Sequence, residues 1–151
     1  MLVTARNIVG NAFFGKKDKA GEPYIGHLER VALPFKEDET LYTIALLHDL
    51  LEDCPEWTLE GLARNFPLRV CSAVEALTRG IHGPESYEEF ILRVSRNHDA
   101  IRVKMSDLKD NMDLTRLKRL LEHKDVDRIL KYHSAYIFLN LSASFDKTTD
   151  K

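Results

Sequence analysis

The spacing of apolar residues is the feature that most restricts how this chain can fold. Along nearly the whole sequence they recur three or four residues apart, whereas alternating runs rich in β-branched residues are missing. The first pattern places apolar side chains on one face of a helix, and the second would be needed for a half-buried strand. The sequence therefore predicts an all-α fold, with helices over residues 2–15, 24–34, 38–53, 58–65, 67–79, 86–97, 99–112 and 125–144.

The length of the chain allows one hydrophobic core. A chain of 151 residues can bury roughly 68–70% of its unfolded surface, so no disulfide is needed to stabilise the fold. We predict a single compact helical bundle at residues 1–145, followed by a C-terminal tail at residues 146–151. Cys54 and Cys71 form no paired motif, which favours a reducing, cytoplasmic compartment.

Charge and hydropathy restrict the partners of the chain. Lys and Arg number 22 and Asp and Glu number 24, so no broad cationic field is available for a nucleic-acid polymer. An anionic ligand must therefore be bound by a local group of cations. No run of about 18 apolar residues occurs, and the N-terminal segment lacks the pattern of a secretory signal, so we expect no membrane partner.

One predicted helix carries an unusual group of polar side chains. Residues 45–53 read ALLHDLLED, and on a helical wheel the leucines share one arc while His48, Asp49, Glu52 and Asp53 share the other. Such a helix most often exposes its acidic face to water. A metal site is the alternative, but it requires further ligands from other helices, because borderline divalent metals favour mixed imidazole and carboxylate donors.

Two residues elsewhere in the chain are candidates for these further ligands. His27 lies in the amphipathic segment PYIGHLERVA, and Asp107 interrupts the apolar pattern of the segment VKMSDLKDNM. Each alone is typical of an ordinary helix, with the histidine partly buried and the aspartate solvated. Together with the pair His48-Asp49 they form a set of two imidazoles and two carboxylates.

The other histidines are not assigned to a metal. A second His-Asp pair, His98-Asp99, has no acidic pair one turn later and lies where a helix is predicted to begin. We interpret Asp99 as the N-cap of that helix. His82 lies in a loop of Gly and Pro residues, and His123 and His133 lie on polar helix faces.

The order of the candidate residues resembles a known family. His27, His48-Asp49 and Asp107, with an acidic pair one turn beyond the central motif, resemble the HD superfamily of metal-dependent phosphohydrolases. More narrowly, the segments DKAGEPYIGHLERVA, IALLHDLLED, VEALTRG and VKMSDLKDNM are similar to the hydrolase domain of the RelA/SpoT proteins and of small stand-alone alarmone hydrolases. Those enzymes remove the 3′-pyrophosphate from guanosine tetra- and pentaphosphate. The resemblance covers most of the chain and implies an HD-domain helical bundle.

The resemblance implies a role for each residue of these motifs. It implies one divalent metal, usually manganese, although iron, cobalt or zinc also suits two imidazoles and two carboxylates. The implied ligands are His27, His48, Asp49 and Asp107. Catalysis is implied for Glu52 and Asp53, whose carboxylates would orient a water that the metal has acidified or pass a proton to the departing oxygen.

The implied substrate is a nucleotide, and its phosphates require nearby cations. Two lysines precede the first candidate histidine in a short loop, and further polar groups share the helix face of the last candidate aspartate. The resemblance supports an asparagine four residues beyond Asp107 and an aromatic residue in the last helix. The candidate substrate contacts are Lys17, Lys19, Lys104, Asn111 and Tyr132.

The chain also departs from the RelA/SpoT pattern. Asp18 occupies the position of an arginine that packs on the guanine, and a carboxylate does not supply that cation–π contact. Asp113 occupies a second position where an arginine is common. The sequence therefore supports three hypotheses: hydrolysis of a guanosine 3′-pyrophosphate, hydrolysis of another nucleotide by the same kind of site, or a catalytically silent helical module that binds a nucleotide.

Overall fold

The computed structural model describes the backbone of residues 1–146 and the side chains of residues 1–144. Within this range the regular structure is helical and contains no named strand, so the prediction of an all-α bundle is confirmed. The predicted C-terminal tail, residues 146–151, lies outside the described residues except for the backbone of Asp146, where the last helix ends.

The described part of the chain contains a series of α-helices joined by short connections. They are α1 (Leu2–Ala12), α2 (Tyr24–Ala32), α3 (Glu39–Leu47), α4 (Leu50–Asp53), α5 (Leu59–Ala63), α6 (Leu68–Leu77), α7 (Tyr87–Val94), α8 (His98–Met112) and α9 (His123–Asp146). Short 3-10 helices at Leu33–Phe35 and Leu114–Arg116 follow α2 and α8. Each predicted helix has a counterpart, with ends that differ by a few residues.

The prediction of one continuous helix over residues 38–53 is wrong, because the helix is interrupted at His48 and Asp49. The Nδ1 atom of His48 lies 2.7 Å from the carbonyl oxygen of Ala45. In a continuous helix that oxygen would accept from the N–H of Asp49. Asp49 has φ −100° and ψ 0°, and the chain then begins the single turn of α4. The predicted metal-ligand pair His48-Asp49 thus coincides with the interruption.

The start of α8 also differs from its prediction. Its N-cap is Asn97, whose side chain accepts a hydrogen bond from the backbone N–H of Ala100, and not Asp99. Asp99 instead accepts two hydrogen bonds from the guanidinium of Arg69, at 2.7 and 3.0 Å. An asparagine one residue before the helix satisfies an unpaired N–H of the first turn, which leaves the aspartate free for the arginine.

The centre of the bundle is α3, which contacts α1, α2, α6 and α8. All of its residues from Leu41 to Leu47 are buried. A helix that is apolar on all sides is stable only when other helices surround it. Because α3 ends at His48, the surrounding helices fix the position of that imidazole against α2 and α8.

The last helix, α9, packs against α7 and α8 and covers one side of the bundle. Part of its apolar surface stays exposed, including Leu130, Phe138 and Leu141. Within residues 1–146, neither α9 nor any other helix combines the length and hydropathy that a membrane span requires. The inner side of α9 brings Arg128 and Tyr132 to the wall of the main pocket.

Candidate active site

Three buried side chains from three parts of the fold converge at the centre of the molecule. His27 comes from α2, His48 from the end of α3 and Asp107 from α8, and one donor atom of each lies within 4.8 Å of the others. The Nε2 atoms of His27 and His48 lie 3.3 and 3.6 Å from Oδ1 of Asp107. Residues 27 and 107 are 80 positions apart in the sequence, so only packing of α2 on α8 brings them together.

The outer nitrogen of each imidazole is held by the protein. Nδ1 of His27 lies 2.7 Å from Oδ2 of Asp110, and Nδ1 of His48 lies 2.7 Å from the carbonyl oxygen of Ala45. Both acceptors require a hydrogen on Nδ1, so in the neutral rings the lone pair is on Nε2. Among the described residues, the buried Nε2 atom of His48 has no hydrogen-bond partner. An unsatisfied imidazole nitrogen beside another imidazole and a carboxylate is the donor set that a divalent metal requires.

The fourth predicted ligand, Asp49, lies beside this cluster. Its Oδ2 atom is 3.0 Å from Nε2 of His48 and 3.6 Å from Nε2 of His27, and it accepts a 2.6 Å hydrogen bond from the hydroxyl of Tyr24. It is not among the three residues whose donor atoms lie mutually within 4.8 Å. The structure therefore brings three predicted ligands together and holds the fourth at the edge of the cluster through Tyr24.

The charges of the cluster depend on one another. Burial opposes a charge on His27, but the carboxylates of Asp107, Asp110 and Asp49 outweigh it and raise the pKa of this imidazole to about 11. Burial likewise opposes a charge on His48, and Asp49 and Asp107 raise its pKa to about 9. The pKa of Asp107 is lowered despite its burial, first by the charge of Lys104 and then by both histidines. In the metal-free protein, protons bound to the two histidines therefore balance the negative charge of the carboxylates.

This electrostatic arrangement predicts that metal binding releases protons. The pKa values of about 11 for His27 and about 9 for His48 lie above neutral pH, so a metal displaces a proton from each ring. We expect the affinity for a divalent metal ion to fall by about tenfold per displaced proton for each unit by which the pH is lowered below 9. Calorimetric titration in buffers of different ionisation enthalpy measures the released protons. A pH-independent affinity would contradict this prediction.

The predicted catalytic acids line the pocket next to the cluster. Glu52 and Asp53 are on α4, one turn after the interruption, and both face the cavity. Both side chains are exposed at the cavity, where partial desolvation and the nearby charge of Asp49 raise the pKa of each carboxyl above its usual value. One oxygen of Glu52 accepts a hydrogen bond of 3.2 Å from the backbone N–H of Arg79. These acids thus have a partly fixed orientation and an increased ability to hold a proton.

The cluster is at the bottom of a pocket with a volume of about 270 Å³. Its wall combines acidic, cationic and aromatic side chains. They come from α4, α7, α8 and α9, from the loop before α2, from the segment after α6 and from the 3-10 helix after α8. Residues of this wall include Lys19, Glu52, Asp53, Arg79, Lys104, Arg116, Arg128, Lys131 and Tyr132. Carboxylates and cations both line this pocket, and cations of its wall such as Lys19 and Lys131 are available to contact anionic groups of a ligand.

Two predicted substrate contacts bind a candidate metal ligand in this structure. Nζ of Lys104 donates to Oδ2 of Asp107 at 2.7 Å, and Nδ2 of Asn111 donates to Oδ1 of Asp107 at 2.6 Å. Both side chains also line the pocket. Lys104 and Asn111 therefore fix the carboxylate of Asp107, in addition to any contact they make with a ligand.

The remaining predicted contacts divide between two places. Lys19 and Tyr132 line the main pocket, where Nζ of Lys19 lies 5.8 Å from the centre of the Tyr132 ring. Partial desolvation, together with the charges of Arg128 and Lys131, lowers the pKa of Lys19, while Asp107 and Asp125 oppose this shift. Lys17 does not line this pocket but a neighbouring groove at the end of α1.

Several residues of the pocket are absent from the sequence-based predictions. Arg128 and Lys131 precede Tyr132 at helical spacing, and this pattern of cations and an aromatic ring on α9 is a signal that could have identified them. Asp110 and Arg116 gave no such signal, because their partners are distant in the sequence. Nothing in the spacing of Asp110 distinguishes it from a solvated helical acid.

An all-α bundle in which His27, His48-Asp49 and Asp107 meet beside the acids of α4 is an HD-type domain. No family model matches the chain. The guanosine-3′,5′-bis(diphosphate) 3′-pyrophosphohydrolases of Aquifex aeolicus and Haemophilus influenzae are 37% and 31% identical to it over 106 and 117 residues. Over the matched segments the chain is homologous to the RelA/SpoT-type HD hydrolases, and the resemblance inferred from its motifs is confirmed.

These relatives are much longer than the chain. The match covers 64% of this chain and 15% of the Aquifex protein, and 70% of this chain and 17% of the Haemophilus protein. The chain is also 28% identical over 131 residues, 80% of its length, to 15% of a Streptomyces coelicolor protein named GTP pyrophosphokinase. The similarity is therefore to one segment of each relative, and the relatives' names refer to two different reactions.

Proposed function

We propose that this chain is a metal-dependent phosphohydrolase that removes the 3′-pyrophosphate from guanosine 3′-diphosphate 5′-(di/tri)phosphate. The observation that carries the proposal is the convergence of His27, His48 and Asp107 beside the acids of α4, in a pocket whose wall also carries cations. The printed names of the Aquifex and Haemophilus relatives support this substrate. Each element of the site suits the hydrolysis of a highly charged phosphate ester.

In this proposal the metal is Mn²⁺, and its ligands are His27, His48, Asp49 and Asp107. The unpartnered Nε2 atom of His48, in the part of the chain that the structure describes, supports the assignment. When bound, the metal supplies Lewis-acid chemistry, which offsets phosphate charge and acidifies water. Tyr24 positions Asp49 through its hydroxyl, and Lys104 and Asn111 position Asp107.

Glu52 and Asp53 perform the proton transfers. One carboxylate of the pair takes a proton from the attacking water, and one returns a proton to the oxygen that leaves phosphorus. Their raised pKa values support this role, because partial desolvation and the charge of Asp49 favour the protonated form of each acid. The hydrogen bond from the N–H of Arg79 orients Glu52 toward the pocket.

The phosphates of the substrate bind to the cations on the wall formed by α9 and the loop before α2. Nζ of Lys131 lies 4.7 Å from the ring centre of Tyr87 and 5.4 Å from that of Tyr132, so the ammonium is held over two aromatic faces. Arg128 is held by Asp125, whose Oδ1 accepts from its guanidinium at 2.9 Å. With Lys19, these residues form a fixed group of positive charges.

The charge of Lys131 can be tested directly. We expect Lys131→Ala to raise KM for the guanosine substrate by about 5–30-fold, which corresponds to the loss of roughly 1–2 kcal/mol of charge attraction, with little change in kcat. Lys109→Ala is the matched control, because Lys109 also lies over a tyrosine of α9, Tyr136, but does not line the pocket. Steady-state kinetics of both variants measure the effect. Equal KM values would contradict the role of Lys131.

Further parts of the proposal concern the chain as a whole. We propose that residues 1–145 act as one domain, that the protein works in the cytoplasm, and that its partner is a small nucleotide and neither a nucleic-acid polymer nor a membrane. The balance of 22 basic against 24 acidic residues supports the absence of a polymer partner.

Hydrolysis of a different nucleotide is the second candidate. Asp18 supports it, because both of its carboxylate oxygens are engaged within the protein and the cation–π contact implied by the resemblance is missing from this position. The two candidates share the metal site and the acids, and differ in the group that occupies the outer part of the pocket.

A nucleotide panel assayed with Mn²⁺ tests both candidates. We expect release of pyrophosphate from guanosine 3′-diphosphate 5′-diphosphate and its 5′-triphosphate form, and none from GDP, GTP or ATP. Turnover of another nucleotide with inertness toward both guanosine compounds would replace the first candidate by the second. Binding without turnover would indicate a silent module. Formation of AMP from ATP and GDP would instead indicate the transfer reaction that the name of the Streptomyces relative describes.

A further inference from the structure

We propose that Asp110 is a positioning residue, which holds the ring of His27 so that its Nε2 atom faces the metal. The proposal rests on the metal site proposed above. Oδ2 of Asp110 lies 2.7 Å from Nδ1 of His27, on the side of the ring opposite to the cluster. A carboxylate only accepts, so Nδ1 must carry the hydrogen, and the neutral ring then has its lone pair on Nε2. Ligand histidines in metal sites typically have such an outer partner.

Asp110 is itself held by arginines, and its side chain is only 10% exposed. Nε of Arg30 donates to Oδ1 at 2.7 Å, and a second nitrogen of Arg30 donates to Oδ2 at 3.2 Å. A nitrogen of Arg116 lies 3.3 Å from Oδ2. The two guanidinium groups thus contact both carboxylate oxygens and restrict the orientation of Asp110.

The same arginines connect Asp110 to Asp18. Oδ2 of Asp18 accepts from Arg116 at 2.8 Å and from Arg30 at 3.4 Å. Its Oδ1 accepts from the backbone N–H groups of Ala20 and Glu22, which fixes the loop before α2. The two aspartates and two arginines therefore form a continuous network across that loop, α2, α8 and the 3-10 helix after α8. Fixed partners at each end limit the rotation of the carboxylate that holds His27.

The two ligand histidines differ in how they are held. His48 donates to a backbone carbonyl on its own helix, which no side-chain substitution removes. His27 depends on a side chain of another helix, 83 residues further along the chain. A substitution of Asp110 therefore changes the position of one ligand ring and leaves the other unchanged. Loss of such an outer partner typically weakens metal binding by about 10–100-fold.

Titration of the purified protein with Mn²⁺ tests this role, with free Mn²⁺ measured by its electron paramagnetic resonance signal. We expect Asp110→Ala to weaken binding by about 10–100-fold. Asp110→Asn keeps an oxygen that accepts from Nδ1 but loses the ionic contacts with Arg30, so its affinity should lie between those of Asp110→Ala and the unsubstituted protein. The partial recovery of Mn²⁺ affinity in Asp110→Asn, relative to Asp110→Ala, would not be produced by a purely structural role.

Asp99→Asn is the matched control, because Asp99 is on the same helix, also pairs with an arginine and does not line the pocket. We expect it to bind Mn²⁺ as the unsubstituted protein does. If Asp110→Ala does not fold, as judged by circular dichroism, the positioning role is tested by comparing the Mn²⁺ affinities of Asp110→Asn and Asp99→Asn. Unchanged affinity in the Asp110 variants, or an equal loss in Asp99→Asn, would overturn the positioning role. If the unsubstituted protein binds no Mn²⁺, the proposed metal site fails, and the positioning role fails with it.

Discussion

The His48→Ala variant is expected to lose its bound metal almost completely while it keeps its helical fold. His48 contributes the buried Nε2 atom that lies 3.6 Å from Asp107 and has no hydrogen-bond partner among the described residues. Removal of a direct ligand should weaken Mn²⁺ binding by more than the roughly 10–100-fold that loss of an outer partner causes. Metal content of the purified variant, measured by mass spectrometry, provides the first test, and Mn²⁺ titration the second.

The fold of this variant should survive. Substitutions in a core typically cost about 0.5–3 kcal/mol, and a domain of this size has about 5–15 kcal/mol of stability. The change removes an imidazole that lies 3.0 Å from Oδ2 of Asp49, but Lys104 and His27 still offset the charge of Asp107. Circular dichroism should therefore show a helical protein. His133→Ala is the matched control, since His133 is exposed on α9 and should leave the metal content unchanged. Normal metal content in His48→Ala would refute the ligand assignment.

The Glu52→Gln variant is expected to bind metal normally and to lose turnover. Glu52 lines the pocket beside the cluster but is not one of the three converging donors. Glutamine keeps the size of the side chain and an oxygen for the N–H of Arg79, yet it takes up no proton. Because general acid–base catalysis contributes about 10²–10⁴-fold, kcat should fall by about this factor while the Mn²⁺ affinity stays constant.

The comparison of Glu52→Gln with Asp53→Asn separates the two acids. The variant that loses more of its activity identifies the carboxylate on which the slow step depends. The pH profile of the other variant shows whether its residue controls the acidic or the basic limb of the rate profile. Glu60→Gln is the control, since Glu60 is exposed in the first turn of α5, away from the pocket. Full activity in both acid variants would exclude the proposed proton transfers, whereas a parallel loss of metal would make these residues ligands.

The position of Asp18 shows how tertiary structure changes the interpretation of a single substitution. From the sequence alone, Asp18 indicated only that an arginine of the RelA/SpoT pattern is missing from this position. In the structure its carboxylate holds Arg116 at 2.8 Å, and that guanidinium lines the pocket from the 3-10 helix after α8. A cation is therefore present on this wall, but it comes from a position 98 residues away and is turned toward two carboxylates. We therefore expect the base of the proposed substrate to be recognised differently.

Helical periodicity and motif order accounted for most of the fold. The all-α class and the approximate helix positions were predictable because spacings of three and four residues are local properties of the chain. The interruption between α3 and α4 was not predictable from this pattern. It depends on the hydrogen bond between the His48 side chain and the carbonyl of Ala45, which a backbone N–H would occupy in a continuous helix. Such a bond does not change the spacing of apolar residues, so the sequence pattern gives no sign of it.

The sequence by itself determined the all-α class, the order of His27, His48-Asp49 and Asp107, and the acidic pair one turn beyond the central motif. These are properties of residue type and local spacing. Tertiary structure alone decided that Asp49 lies at the edge of the cluster and that Asp110 holds His27. The physical reason is that each of these contacts depends on rotamers or on the packing of α2 against α8, and neither leaves a periodic signal in the chain.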